Sequence, residues 1–239
     1  MMIPPLFAAA LVIAPAAPGS AQDSGSVTMT VMGALTATLD GDAREWVTIS
    51  GEMRGETGAS ANWQRIEISV PTFGDTLGAM AGQLSEEERA QVQALDQLMG
   101  QVTERAMGGF QSINLTISGH DPASPNILTD QVLALDVHLN SADIAPGTTM
   151  DADITYVVDG SGGFIPRLFY TSSDTDTQAS VTFDRLDLTP GGGHAEGSFS
   201  AELCKMEGAN LISGPDLSDC IHVEGRFDTA LVEEEPYRN

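Results

Sequence analysis

Short runs of alternating apolar and polar residues make up most of this chain. Successive side chains of an extended strand point to opposite faces, so a period of two predicts strands that bury one face. About ten such runs follow residue 26, with glycine-, proline- and aspartate-rich turn signals between them. The pattern predicts an all-β fold, either an antiparallel β-sandwich or a partly closed barrel.

The most informative runs flank the two cysteines of the chain. Segments 197–204 and 220–227 both alternate, and each has its cysteine on the polar face at the end nearest the intervening loop. We expect Cys204 to lie opposite Cys220 in an antiparallel hairpin, because a slip of one residue would turn every apolar side chain outward. This register pairs Leu203 with Ile221, Ala201 with Val223, Phe199 with Gly225, Glu202 with His222 and Ser198 with Arg226.

The same register predicts a disulfide between Cys204 and Cys220. Opposed residues of an antiparallel pair have Cα atoms roughly 4.5–5.5 Å apart, a separation that a disulfide tolerates. The alternatives are a metal pair or two free buried thiols, but the spacing is too long for a Cys-x-x-Cys motif and no second cysteine pair exists. Closing a loop of about 15 residues should stabilise the fold by roughly 3 kcal/mol.

A β-bulge is predicted at one position in the chain and is one of two alternatives at another. At Gly33 the chain either begins a second strand or continues the first one past a bulge. Near Asp184, one extra residue would bring the apolar positions on either side back into phase. In residues 165–170, Pro166 cannot donate a hydrogen bond to a neighbouring strand, which predicts that this strand lies at a sheet edge.

One segment has the period of a helix instead. Ser85 and Glu88 form a capping-box motif, and an apolar stripe with steps of three and four follows it. The stripe consists of Val92, Leu95, Met99, Val102 and Ala106. We therefore expect one amphipathic α-helix over about 85–107, inside an insertion at 74–109 of a single all-β domain at 22–232, with a disordered tail at 233–239.

The start of the chain resembles a secretory signal. Residues 6–14 form an apolar run that is too short to span a bilayer, and Gly19-Ser20-Ala21 offers small residues at the cleavage site, although the leader lacks lysine and arginine. We expect residues 1–21 to be a signal peptide cleaved near Ala21, which places the mature protein in a bacterial periplasm or exterior. We expect no membrane span after cleavage, and the oxidising compartment favours the disulfide.

The charge balance narrows the classes of partner. The chain has 34 acidic and 10 basic residues, for a formal net charge of −24. Binding of nucleic acid or of an anionic membrane surface is disfavoured, because both require a positive surface. A solvated acidic surface is the simpler interpretation, and cation binding is the alternative. The weak candidates for a calcium site are Asp174 and Asp176, which lack the glycine and glutamate of an EF-hand loop.

No other motif indicates a reaction or a cofactor. The sequence has no Gly-x-Ser-x-Gly elbow, phosphate-binding loop or His-x-x-x-His pair. Trp46 and Trp63 both fall opposite the aliphatic face of their strands, so they are candidates for an exposed platform that stacks on sugars; the alternative is that they fill the space beneath a covering element.

We therefore expect an exported, non-enzymatic all-β binding or structural domain, whose partner is a small molecule, a glycan or a protein. One alternative is a secreted hydrolase with a site assembled from loop carboxylates and histidines. The other is a calcium- or carbohydrate-binding module.

Overall fold

The computed structural model describes residues 28–53, 56–67, 85–91, 94, 95, 97, 112–161, 165–175 and 178–238. These residues are mostly β and contribute 13 strands to one sheet, which confirms the all-β class. The strands are β1 (Thr28–Leu39), β2 (Asp42–Met53), β3 (Glu56–Ala59), β4 (Ala61–Glu67), β5 (Ser112–His120), β6 (Val132–Leu139), β7 (Thr148–Asp151), β8 (Asp153–Asp159), β9 (Leu168–Thr171), β10 (Ser180–Thr189), β11 (Gly192–Glu207), β12 (Asp216–Glu233) and β13 (Tyr237–Arg238). A 3-10 helix, Gly208–Ser213, connects β11 to β12.

The cysteine hairpin has the predicted register. β11 and β12 pair antiparallel, with Cys204 opposite Cys220 and Phe199 opposite Gly225. The two sulfurs form a disulfide, which confirms that prediction. The hairpin is thus held by backbone pairing along its length and by a covalent bond at the end where the 3-10 helix enters.

The bulge predicted near Asp184 is confirmed, and at Gly33 the structure has the alternative of one continuous strand with a bulge. The pairing of β1 with β2 shifts between Val31 and Gly33, and the pairing of β10 with β11 shifts between Phe183 and Arg185. An extra residue changes the phase of the alternation, so Val31 before the first bulge is 63% exposed while the apolar positions after it are buried.

Strand pairing returns to its starting point among the described residues. β12 pairs with β1, β1 with β2 and β2 with β5, and the pairing continues through β6, β8, β9 and β11 back to β12. The β2–β5 step rests on Val47 opposite His120, and β4 makes a second connection by pairing with both β5 and β12. The strands of the sheet bury one apolar core. Its largest fully buried side chains include Trp46, Trp63, Phe183, Phe227, Leu35, Ile113, Leu115 and Ile117.

β2 and β4 bury the faces opposite to those expected. Trp46 and Trp63 are 1% and 0% exposed, so of the two alternatives the exposed platform is wrong. Each indole fills interior volume and also finds an acceptor for its N–H. Trp46 Nε1 donates to the Gln131 carbonyl at 2.9 Å, and Trp63 Nε1 donates to the Gly192 carbonyl at 2.8 Å.

Two expectations about strand ends are also wrong. The strand near Pro166 begins only at Leu168 and pairs on both sides, with β8 and β11, so it is not at a sheet edge. Pro166 is compatible with this position because it precedes the ladder. The tail at 233–239, expected to be disordered, contributes Tyr237 and Arg238 to a short strand parallel to β4.

Only part of the predicted insertion is described. Residues 86–91, 94, 95 and 97 are helical and exposed. Ser85 N donates to Glu88 Oε2 at 2.8 Å and Glu88 N donates to Ser85 Oγ at 3.3 Å, as a capping box requires. The other positions of the helix expected over about 85–107 lie outside the described residues, as does the leader, so both remain predictions. Among the described residues, no helix is long and apolar enough to cross a bilayer.

Candidate functional site

An open groove crosses the outer face of five adjacent strands, β10, β11, β12, β1 and β2, and we call it the polar groove. Its volume is about 830 Å³. The side chains that line it alternate with core positions on the same strands, so one set of strands builds both the core and the groove. The hydroxyl side chains of the lining are Thr36, Thr38, Ser180, Thr182, Ser198 and Ser200, and the charged ones on this outer face are Glu45, Glu224 and Arg226.

Strand register arranges these side chains in two rows across the strands. Neighbours within a row are separated by one interstrand spacing, about 4.8 Å, and the rows are separated by two residues of strand, roughly 6.7 Å. The first row is Ser180, Ser200, Glu224 and Thr38; the second is Thr182, Ser198, Arg226, Thr36 and Glu45. The result is a regular surface of hydrogen-bond donors and acceptors.

Small residues on the inner side of the groove floor let the strands approach the core. Gly225 lies between Ala37 of β1 and Phe199 of β11, and the Phe199 ring covers it. A Cβ atom at Gly225 would lie 2.4 Å from the Thr36 carbonyl oxygen and 2.8 Å from the Phe199 ring. The absence of a side chain at this position is therefore a structural requirement of the groove floor.

The charged groups of the groove differ in how they are compensated. Arg226 Nη2 donates to Asp184 Oδ2 at 2.6 Å, so its charge is neutralised at the groove rim. Glu224 Oε2 lies 3.7 Å from the imidazole of His222, which is charged only when it is protonated. Within the described part of the chain, Glu45 has no ion-pair partner.

The disulfide also explains the metal-like cluster near it. Among the described residues, one group of three candidate ligands lies close enough together to hold an ion, and it consists of Glu202, Cys204 and Cys220. The two sulfurs are bonded to each other, so they have no thiolate to offer a metal. The cluster is therefore a structural feature of the hairpin.

Of the two sequence-predicted calcium candidates, only Asp174 is among the described residues. It is exposed in the loop after β9, with a left-handed backbone at φ 58° that aspartate tolerates in turns. Asp176 lies outside the described residues, so the calcium site at this pair remains a prediction.

The exposed tryptophan platform is absent, because both indoles are in the core. Trp46 instead belongs to a polar network that holds the end of the loop 121–131 against β2 and β8. Arg44 faces the interior there, and its Nη1 donates to Gln131 Oε1 and to the Tyr156 hydroxyl, each at 2.9 Å. Tyr156 in turn donates to Gln131, so the loop is held by satisfied polar contacts.

A buried histidine fastens the same loop at its start. His120 is 7% exposed, and its Nδ1 lies 2.8 Å from the Ile127 carbonyl. Burial lowers the pKa of the imidazole, and the bond to Ile127 opposes this effect without cancelling it. The folded protein therefore favours the neutral imidazole. The alternating pattern of β5 did not indicate this role, because His120 follows the last apolar position of the strand.

The structure also reveals an acidic pair that the sequence did not indicate. Asp136 of β6 lies opposite Asp153 of β8, and each accepts a hydrogen bond from a hydroxyl: Thr116 Oγ1 at 2.6 Å and Ser173 Oγ at 3.0 Å. Burial of its carboxyl by surrounding atoms raises the pKa of Asp136; the Asp153 charge adds to this, while the Thr116 bond and His138 oppose it. The residue keeps exposed area, so its desolvation is partial. The sequence did not indicate this pair because the two acids become neighbours only when β6 pairs with β8.

Comparison with known proteins gives no relative for this chain. No protein-family model matches it, and searches of curated proteins and of solved structures find no significant match.

Proposed function

We propose that this chain is exported to a bacterial periplasm or exterior, with its leader cleaved near Ala21, and acts there as a non-enzymatic all-β binding protein. The polar groove is the observation that carries the binding role. It combines an open, shallow depression with a repeated array of hydrogen-bond donors and acceptors. Ligand sites in proteins are concave and use convergent polar groups to orient the ligand.

The proposal takes the fold to be a partly closed barrel with the helix of about 85–107 inserted between β4 and β5. The circuit of eight paired strands supports a barrel over a sandwich, because the strands of a sandwich belong to two separate sheets. The interior of a small barrel is filled by side chains. A ligand can then contact only the outer faces and the ends of the barrel. The groove lies on an outer face.

The hydroxyls of the groove support binding more than catalysis. A serine nucleophile needs a base within hydrogen-bond reach. In the described structure, none of Ser180, Ser198 and Ser200 shares a hydrogen bond with a histidine. A serine-nucleophile site in the groove therefore has less support than a surface that holds its ligand without changing it.

Blocking the groove tests the binding role. Labelled probes of matched length would be titrated by fluorescence anisotropy: a lysine–serine peptide, a glutamate–serine peptide and a neutral cello-oligosaccharide. We expect at least one probe to bind the wild type and to lose binding in Ser198→Trp, which fills the groove. Ser118→Trp, at a half-buried outward position of β5, is the matched control. Failure of all three probes, or binding that Ser198→Trp leaves unchanged, contradicts the proposal.

Export is tested separately by mass spectrometry of the full chain expressed in a bacterial host. We expect the exported protein to begin at Gln22. Ala21→Asp places a charge at the cleavage position and should leave the leader attached. Recovery of the uncleaved chain from the cytoplasm as the main product would contradict export.

A further inference from the structure

Arg44 is a half-buried positive charge at one end of the core. It alternates with the outward Glu45 on β2, and its guanidinium contacts the hydroxyl of the buried Tyr156. Within the described part of the chain, no carboxylate lies at ion-pair distance from it. The basic side chains that do have a carboxylate partner there are Arg65, Arg167, Arg185, Lys205 and Arg226. Moving a charge out of water without a counter-charge is costly, so the position of Arg44 needs a physical reason.

The groups that hold Arg44 in place are neutral. Its Nη1 donates to Gln131 Oε1 and to the Tyr156 hydroxyl, each at 2.9 Å, and its guanidinium carbon lies 5.9 Å from the centre of the Tyr156 ring. Burial raises the pKa of Tyr156; the Arg44 charge opposes this shift and the Asp121 charge adds to it. Tyr156 is therefore a neutral phenol that donates to Gln131, and it supplies no negative charge to Arg44.

These contacts leave one side of the guanidinium available for a ligand. Both bonds of Arg44 to the network use Nη1, and no described residue forms a hydrogen bond with its Nε or Nη2. Nε and Nη2 are the side of the guanidinium fork that binds the two coplanar oxygens of a carboxylate through parallel hydrogen bonds. Because Nη1 is anchored, the direction of this side is fixed before any ligand arrives.

The residue that orients Arg44 has a strained backbone. Gln131 has a φ of 58°, a left-handed conformation that non-glycine residues adopt only occasionally. Besides the bonds from Arg44 and Tyr156, its carbonyl accepts from Trp46 Nε1 at 2.9 Å, and its Nε2 donates to the Val158 carbonyl at 3.1 Å. Backbone strain of this kind persists where the surroundings hold a residue in one geometry, and it is concentrated at functional sites. The strained residue and the guanidinium without a counter-charge thus lie in the same place.

A carboxylate is the group that suits this position. It is planar and singly charged, as the free side of the guanidinium requires. Asp42 precedes Arg44 by two residues on the same face of β2, and the charge of Asp121 acts on Tyr156. Both acids would repel a second negative charge, which disfavours a phosphate dianion.

We infer that Arg44 binds the carboxylate of a small monocarboxylic acid through Nε and Nη2, where the end of the loop 121–131 meets β2 and β8. Arg44 lies on the opposite face of β2 from Glu45 and the polar groove. The site is therefore separate from the groove and does not rest on the proposed function.

The two buried indoles provide the readout for a test on the full wild-type chain. Trp46 Nε1 donates to the Gln131 carbonyl at the site, whereas Trp63 Nε1 donates to the Gly192 carbonyl. Trp63 is opposite Leu115 on β5, five residues before the position that pairs with β2, which places it roughly 17 Å further along the sheet. We expect sodium acetate, exchanged for sodium chloride at constant ionic strength, to shift the Trp46 indole N–H resonance saturably. The Trp63 resonance should stay unchanged.

Variants assign the effect to Arg44. Arg44→Gln should weaken acetate binding by at least about tenfold. Arg44→Lys should also weaken it, because an ammonium group keeps the charge but lacks the fork. Arg185→Gln removes an exposed arginine and is the matched control, which should change the affinity by less than about twofold. An unchanged Trp63 resonance shows that each variant keeps the fold.

Three results would overturn the inference. They are a Trp46 shift that does not saturate, an equal shift with phosphate, and a shift that Arg44→Gln retains. The wild-type titrations with acetate and phosphate decide the question even where an Arg44 variant fails to fold.

Discussion

Adding one methyl group at Gly225 should destabilise the protein measurably. A Cβ at this position would lie 2.4 Å from the Thr36 carbonyl oxygen, 2.6 Å from Ala37 Cβ and 2.8 Å from the Phe199 ring. Carbon atoms in contact are normally about 3.5–4.0 Å apart, so each neighbour would have to retreat by roughly 1 Å. Neither the carbonyl oxygen nor Ala37 Cβ can move by side-chain rotation, so the strands themselves must shift.

Overpacking of this kind costs about 1–3 kcal/mol, and the two immovable neighbours place Gly225→Ala toward the upper end. For a domain of this size, about 3 kcal/mol corresponds to roughly 6–12 °C in Tm. Urea unfolding followed by tryptophan fluorescence measures the change, because Trp46 and Trp63 are both buried and report on the core.

Gly58→Ala is the matched control for this experiment. Nothing lies within 4 Å of a Cβ built at Gly58, so the variant should stay within about 1 kcal/mol of wild type. Gly225→Ala/Phe199→Leu should be less destabilised than the sum of its single variants, because the smaller side chain makes room for the methyl group. If Gly225→Ala is as stable as Gly58→Ala, the close packing beneath the groove is wrong.

Three further outcomes follow from the contacts above. Cys204→Ala/Cys220→Ala opens a loop with a sequence separation of 16 residues. Chain entropy predicts that the free energy of unfolding falls by about 3 kcal/mol. Denaturation with and without reductant should show this difference for the wild type and none for the variant. The raised pKa of Asp136 means that folding disfavours its charged form, so Asp136→Asn should be more stable than wild type at pH 7. The variant should lose that advantage below the unfolded pKa of 3.8, where the wild-type carboxyl is also neutral. Equal dependence of Tm on pH in the two proteins would refute this. The pKa of His120 is lowered, so wild-type stability should fall as pH drops below 6.5, and His120→Gln should flatten that fall in melts from pH 7.5 to 5.

The cysteine hairpin was predictable because its information is local. Apolar, charged and sulfur-bearing positions of two neighbouring segments agree on one register, and a shift by one residue violates all of them together. The bulge near Asp184 was readable for a similar reason, since an extra residue there leaves a visible break in a period of two. Both features concern strands that follow each other in the chain.

The direction of the tryptophans was not predictable in this way. Alternation divides a strand into two faces but does not say which face is inside when both carry bulky apolar groups. Trp46 is inside because its indole reaches the Gln131 carbonyl from a distant loop, and Trp63 is inside because it reaches Gly192. Both acceptors belong to segments far away in the chain, so only long-range pairing in the folded sheet brings them within reach.

The polar groove depends on the same long-range pairing. Its serines and threonines are ordinary outward positions in each strand taken alone, and nothing in one strand marks them as a site. The groove spans two groups of consecutive strands, β10 to β12 and β1 with β2. These groups form one surface only when β12, at the end of the chain, pairs with β1 at its start. The alternation along the chain therefore determined strands, turns and the hairpin, because those depend on adjacent residues. Tertiary pairing decided which faces are buried, which acids oppose each other and where a groove forms, because those depend on strands that meet only in the folded sheet.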